Sequence, residues 1–266
     1  DGLMSAAALP LKLELRKQRR GRIILSTVGI LGLWIVWTLF LIQARAAKSG
    51  QFAATDFALR DGMGMSWLFS PLFVAVIAAR LAAVDHQERM GQIFDALGQS
   101  LRQRFVAKLL ILNALAALCC VLLVAVVVGF GVATGMPSSP ELPATAARCL
   151  VVLLLGSVAV AAVQLALAMR FPDRPIGLIV SVAGAFLTTA LEPLRIPEAG
   201  WLTPWSLTVG ASPLEPATAY PTGTAAAAPQ LLTTPTGVFD VIALLVLAAA
   251  WTAAAIWFVT KPKELS

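Results

Sequence analysis

Residues that could carry out catalysis are sparse in this 266-residue chain. The sequence shows no paired carboxylates, no Ser/His/Asp set and no cluster with the spacing of metal ligands. It also lacks the G-x-x-x-x-G-K-[ST] loop that would hold nucleotide phosphates. We therefore expect no catalytic, cofactor or metal site on this chain.

The remaining polar candidates lie inside long apolar runs. They are Asn113, Gln164, Ser181 and Thr188. Such side chains can line a substrate path through a membrane, or they can form hydrogen bonds between neighbouring helices. The sequence leaves both interpretations open.

Ionisable residues are confined to the ends of the apolar runs. Arg80, Arg148, Glu192 and Asp240, for example, all lie near the end of a run. Ion-coupled carriers usually place charged groups at mid-membrane, where burying a charge is so costly that such groups are usually functional. The sequence therefore disfavours an ion-coupled secondary transporter.

The elements that position these residues are apolar runs. The chain is 59% hydrophobic and 13% charged, with a mean hydropathy of +0.84, whereas soluble domains are about 25% charged. Backbone groups in lipid must be satisfied internally, so such runs predict helices. We predict an all-α polytopic membrane protein, a single transmembrane domain over residues 1–266 with six transmembrane helices. The predicted spans are Ile23–Ile42, Met63–Arg80, Leu109–Ala133, Ala147–Met169, Ile176–Leu191 and Val238–Val259.

The distribution of positive charge predicts the orientation of these spans. With the N-terminus inside, fifteen of the 20 Lys and Arg residues fall in inner segments and five in outer ones. Cytoplasmic segments of membrane proteins carry such an excess. Both termini are therefore predicted to be cytoplasmic. The net charge of +6 reflects topology and not a nucleic-acid-binding stripe.

The longest outer segment, residues 192–237, is rich in Pro, Thr and Ala. It is too polar and too interrupted by Pro to be a seventh span. We predict short re-entrant or surface helices here, with Trp201 and Trp205 at the membrane interface.

The inner connection, residues 85–104, has the pattern of a short amphipathic helix. Its apolar positions, at i, i+3, i+4 and i+7, are Met90, Ile93, Phe94 and Leu97. Gly98 is a helix stop signal, and Ser100 with Gln103 predicts a capping box that opens the third span. The apolar face either packs under the membrane domain or contacts a soluble partner.

Residues 8–22, before the first span, mix Leu with cationic side chains. Such a segment can form an amphipathic entry helix along the inner interface of an anionic bilayer. An ordinary basic flank that fixes topology has the same composition.

Two motifs in these segments resemble the permeases of type-2 ABC exporters. The entry carries Glu-x-x-Lys-x-x-Arg at Glu14, Lys17 and Arg20. The inner connection has the same order of residues as the family, namely Glu88, Gly91, Ile93, Phe94, Leu97, Gly98, Ser100 and Lys108. The six-span layout is also similar. The nearest branch is that of the lantibiotic-immunity, bacteriocin and multidrug permeases.

This resemblance implies a coupling helix seated in a groove of a separate ATPase subunit. Its contact residues would be Glu88, Gly91, Ile93, Phe94 and Leu97. The chain would work in a bacterial inner (cytoplasmic) membrane with two ABC ATPase subunits, which bind ATP and Mg, and with a second permease, identical or homologous. It would export a hydrophobic or peptide substrate, such as an antimicrobial peptide or a drug-like molecule. The alternative is a membrane scaffold or regulatory subunit that transports nothing.

The predicted orientation can be tested with reporter fusions. The charge distribution predicts that a reporter fused after Ser266 lies in the cytoplasm. A reporter inserted within residues 192–237 should lie on the outer side of the membrane. External activity of the C-terminal fusion would contradict the six-span topology.

Overall fold

The chain was analysed as a computed structural model that describes residues 23–48, 53–87, 100–172, 174–191, 193–194, 196–214 and 238–261, without side chains at 84–87. These residues form helices and no β-strand. The helices are α1 (Ile23–Lys48), α2 (Thr55–Gln87), α3 (Leu101–Ala133), α4 (Leu142–Arg170), α5 (Ile176–Leu191), the short α6 (Leu207–Gly210) and α7 (Val238–Thr260), with a 3-10 helix (Pro197–Leu202) before α6.

Five of these helices, α1, α2, α3, α4 and α7, are long and apolar enough to cross a membrane. The prediction of an all-helical, polytopic membrane protein is thereby confirmed for the described residues. Helix α5 has the predicted bounds, but its 16 residues measure about 24 Å, less than the roughly 30 Å of hydrocarbon. Its role as the sixth span stays a prediction, as do the positions of the termini.

Several helices extend beyond the predicted spans. Helices α2 and α3 each have 33 residues, about 50 Å along the axis. Hydropathy detects the part of a helix that faces lipid, whereas the ends are set by capping. At the start of α3 the predicted capping box is present: Gln103 N donates to Ser100 Oγ at 3.2 Å, and Ser100 N donates to Gln103 Oε1 at 3.0 Å. That prediction is confirmed.

A buried lysine joins α2 and α3 on the side where α2 ends and α3 begins. Lys108 is 0% exposed, and its Nζ donates to the backbone O of Leu81 at 2.7 Å. Burying an ammonium group is costly unless it is hydrogen-bonded. The bond therefore fixes the register of the two helices relative to each other.

An ion cluster joins the end of α1 to the start of α2, far along α2 from the Lys108 contact. Arg45, near the end of α1, donates to the carboxylate of Asp61. The guanidinium of Arg60 lies 3.9 Å from the same carboxylate. Arg60 and Asp61 are only 6% and 5% exposed. One buried carboxylate therefore serves two guanidinium groups.

The loop between α3 and α4 closes over the start of α2. The carboxylate of Asp56, in the first turn of α2, accepts hydrogen bonds from Ser139 N at 2.9 Å and from Ser139 Oγ at 2.6 Å. Thr55 N donates to Pro137 O at 2.9 Å. The negative charge of Asp56 in the first turn also interacts favourably with the unpaired N–H groups at the start of the helix. Helix α2 is therefore held at both ends.

The ion cluster should contribute measurably to stability. Asp61→Asn keeps the size of the side chain but removes the negative charge that faces Arg45 and Arg60. We expect a loss of about 1–3 kcal/mol, less than for a fully enclosed pair because Arg45 is partly exposed. Thermal unfolding in detergent would measure it. Glu141→Gln, a change at an exposed acid on the same side, is the matched control, and an equal loss there would contradict a specific role of the cluster.

Candidate functional site

Residues 197–214, the re-entrant segment, follow α5 and contain the 3-10 helix and α6. The segment packs against one glycine of α4 and one of α5. A Cβ atom at Gly156 of α4 would lie 2.4 Å from Thr208 Cγ2, and one at Gly184 of α5 would lie 2.5 Å from the indole ring of Trp205. Real Cβ atoms do not approach this closely, so both positions need glycine.

These contacts set the depth of the re-entrant segment. Gly156 lies about 21 Å along α4, and Gly184 lies about 12 Å along α5, near its midpoint. The segment therefore penetrates to the middle of the helix bundle. Of the two arrangements predicted for this part of the chain, the contacts favour the re-entrant one.

The position of Trp205 at the membrane interface stays a prediction. The indole is partly buried and packs over Gly184, because the missing side chain leaves room for the ring. An aromatic ring with one polar atom suits an interface, but it suits an interior equally well when the N–H finds a partner.

That partner is Gln164 of α4, which is 1% exposed. With its amide oriented to pair both atoms, Gln164 Nε2 donates to Gly177 O of α5 at 2.8 Å. Its Oε1 accepts from Trp205 Nε1 at 3.1 Å. One amide therefore connects α4, α5 and the re-entrant segment.

Ser181 and Thr188, two further sequence candidates, lie buried on α5. Thr188 Oγ1 donates to Gly184 O, one turn earlier, at 2.7 Å. The Ser181 hydroxyl has no hydrogen-bond partner among the described residues. The carbonyl one turn before it is that of Gly177, which accepts from Gln164 instead. Ser181 is thus a buried hydroxyl whose usual helical acceptor is already in use.

Asn113, the fourth candidate, lies half-buried on α3. Its Oδ1 has no hydrogen-bond partner in the described part of the chain. The structure therefore places Gln164, Ser181 and Thr188 on or against α5, with Asn113 on a different helix. Lining a path and joining helices both remain open as roles for these side chains.

The sequence did not predict that Gly156 and Gly184 are packing sites for the re-entrant segment, or that Trp205 contacts Gly184. A glycine within an apolar run indicates close packing, but it does not reveal which element approaches. The predicted coupling residues Glu88, Gly91, Ile93, Phe94 and Leu97 lie outside the described residues. Their flanks, Gln87 at the end of α2 and Leu101 at the start of α3, are described.

Comparison with known proteins identifies the family. A family model described as ABC-2 family transporter protein matches residues 10–188, more than half of the chain. The chain belongs to the ABC-2 family of transporter proteins. It is thus a multi-pass ABC permease subunit, a membrane component of a transporter. No curated protein matches the chain. No solved structure matches it either.

The match to the ABC-2 family runs from the entry segment through the inner connection to Thr188 in α5. It includes Gln164 and Gly184 but ends before the re-entrant segment. The permease resemblance is thereby confirmed at the level of the family, while the lantibiotic-immunity and multidrug branch stays a prediction.

The packing of the re-entrant segment on this ABC-2 permease can be tested by a double-mutant cycle. Gly184→Ala should destabilise the protein by about 1–3 kcal/mol, because the new methyl group meets the Trp205 ring. In a Trp205→Ala background the same change should cost much less, since the ring is gone. Thermal unfolding of the four proteins gives the coupling.

Gly64→Ala in α2 is the matched control, because a Cβ there meets nothing within 4 Å. Additive effects of Gly184→Ala and Trp205→Ala would contradict the contact.

Proposed function

We propose that this ABC-2 permease exports an amphipathic or hydrophobic compound, driven by ATP hydrolysis on separate ABC ATPase subunits. The observation that carries the proposal is the family match over residues 10–188. The chain's lack of a phosphate-binding loop supports a separate source of energy. ATP and Mg belong to the ATPase subunits in this proposal.

The inner connection is the proposed contact with the ATPase. Its coupling residues are Glu88, Gly91, Ile93, Phe94 and Leu97. The connection links the end of α2 to the start of α3. The Lys108–Leu81 hydrogen bond and the capping box hold those two helices close to the connection. A push on the connection would therefore move α2 and α3 together.

The proposed substrate path runs beside α5, where Gln164, Ser181 and Thr188 lie, and includes Asn113 of α3. Buried hydroxyl and amide groups in an otherwise apolar lining suit a compound with few polar groups. The re-entrant segment packs against Gly184 in this region and is tied to Gln164 by Trp205. Outward release then requires this hydrogen bond to break or the segment to shift.

The assembly we propose contains two permeases and two ATPase subunits. The described residues contain five long apolar helices and one short one, about half of the usual twelve spans, so a second permease, identical or homologous, would complete the path. The antimicrobial-peptide or drug-like nature of the cargo and the bacterial inner membrane follow from the sequence resemblance. Outward direction follows from the same resemblance.

Replacement of Phe94 by Asp in the complex with a cognate ATPase tests the proposal. If Phe94 anchors the ATPase, the permease should express and unfold normally, while the ATPase no longer co-purifies and transport is lost. Interface energy concentrates in a few buried aromatic and aliphatic anchors, so we expect loss of binding by at least tenfold. The measurements are yield, thermal unfolding, co-purification and efflux of an amphipathic fluorescent compound.

Arg89→Ala, which changes a polar position of the same connection outside the predicted coupling residues, is the matched control and should change none of these properties strongly. A Phe94→Asp protein that misfolds by itself, or that retains its ATPase, would contradict the coupling role. A complex that binds and hydrolyses ATP but moves no compound would favour the scaffold or regulatory alternative.

A further inference from the structure

A groove runs between α2 and α5 and has a volume of about 320 Å³. Apolar side chains line it, together with one cation. The lining residues are Ala75, Val76, Ala79, Arg80, Ala83 and Leu178. Three alanines one turn apart on α2 leave the space that larger side chains would fill. The groove is therefore an apolar slot with a single guanidinium group at its wall.

The groove lies near the end of α2 and the start of α5. Leu178 is in the first turn of α5 and is 44% exposed. Ala79 and Arg80 are exposed as well. The distribution of Lys and Arg assigns these helix ends to the cytoplasmic side. Arg80 then lies at the level of the inner headgroups, where long cationic side chains reach the membrane surface.

Arg80 is available for an external anion as far as the described residues show. No carboxylate among them lies within ion-pair distance of its guanidinium group. The planar guanidinium group binds phosphate and carboxylate through two parallel hydrogen bonds. The groove thus combines a hydrocarbon wall with a binding group for one anionic head.

We propose that this groove binds an anionic amphiphile, with its hydrocarbon tail along Ala75, Ala79 and Leu178 and its phosphate or carboxylate head on Arg80. The proposal rests on the membrane orientation used in the proposed function, but it requires neither transport nor an ATPase. An apolar helix of a second permease copy would cover the alanines and leave Arg80 without an anion. Charge complementarity therefore favours an occupant that carries its own negative group.

Binding to the purified permease in neutral detergent tests the proposal. The probes are dodecyl phosphate, zwitterionic dodecylphosphocholine and inorganic phosphate, which is the head alone. We expect the permease to bind dodecyl phosphate most tightly and inorganic phosphate weakly, because head and tail both contribute. Arg80→Gln should weaken dodecyl phosphate binding about tenfold, as expected for loss of a charge-assisted pair.

Two further variants separate the groove from general surface charge. Ala79→Phe fills the slot at an exposed position and should weaken binding of both dodecyl probes. Arg102→Gln removes an exposed cation near the start of α3 that does not line the groove, and it should leave binding unchanged. Thermal unfolding of each variant verifies that the fold is intact.

Competition with lipid identifies the source of the anion. Displacement of dodecyl phosphate by phosphatidylglycerol but not by phosphatidylcholine would assign the groove to an anionic bilayer lipid. Displacement by single-chain anions alone would assign it to a free amphiphile. Both outcomes support the proposal. It would be overturned by equal affinity for the two dodecyl probes, by an equal loss in Arg102→Gln, or by an Ala79→Phe variant that changes the oligomeric state and binds dodecyl phosphate normally.

Discussion

Backbone hydrogen bonding at membrane depth is the constraint on which the rest of this structure depends. A long helix satisfies its own N–H and C=O groups, but a 3-10 turn followed by one turn of α-helix cannot. The re-entrant segment meets the requirement by short-range bonds: Ser206 Oγ donates to Gly200 O at 3.0 Å, and Val209 N donates to Ser206 O at 2.9 Å. Gly200 and Gly210 pack backbone to backbone within the segment. Such a segment is stable only when protein encloses it.

The helices that enclose the re-entrant segment are α2, α4 and α5. Leu191, the last residue of α5, packs with Trp67 of α2 and Val209 of the re-entrant segment. Because Trp67 lies about 18 Å along α2, α5 ends well inside the bundle. The short α5 and the re-entrant segment therefore extend together along the bundle over the length that one longer helix would span. The groove that contains Arg80 lies at the other end of α5, so the two ends of one short helix border two different sites.

Helix α2 is joined by polar contacts to three neighbouring elements. It is joined to α3 by the buried Lys108, to α1 by the Asp61 cluster, and to the α3–α4 loop by Asp56. Under the proposed function, a force on the cytoplasmic connection would thus act on a helix whose register is fixed at both ends. The contacts of α2 with α5 and the re-entrant segment are different in kind, since they include the apolar cluster of Trp67, Leu191 and Val209.

The sequence alone determined the features that depend on local composition. Apolar runs predicted every long helix because lipid leaves a backbone no other way to satisfy its polar groups. Ser100 and Gln103 predicted the start of α3 because a capping box involves neighbouring residues only. Only the tertiary structure decided where the re-entrant segment lies and which groups it contacts. Gln164 and Trp205 are far apart in the chain, and their hydrogen bond depends on the space that Gly184 leaves for the indole ring. Hydrophobic periodicity predicts which face of a helix is buried, but it does not predict which distant residue will contact that face.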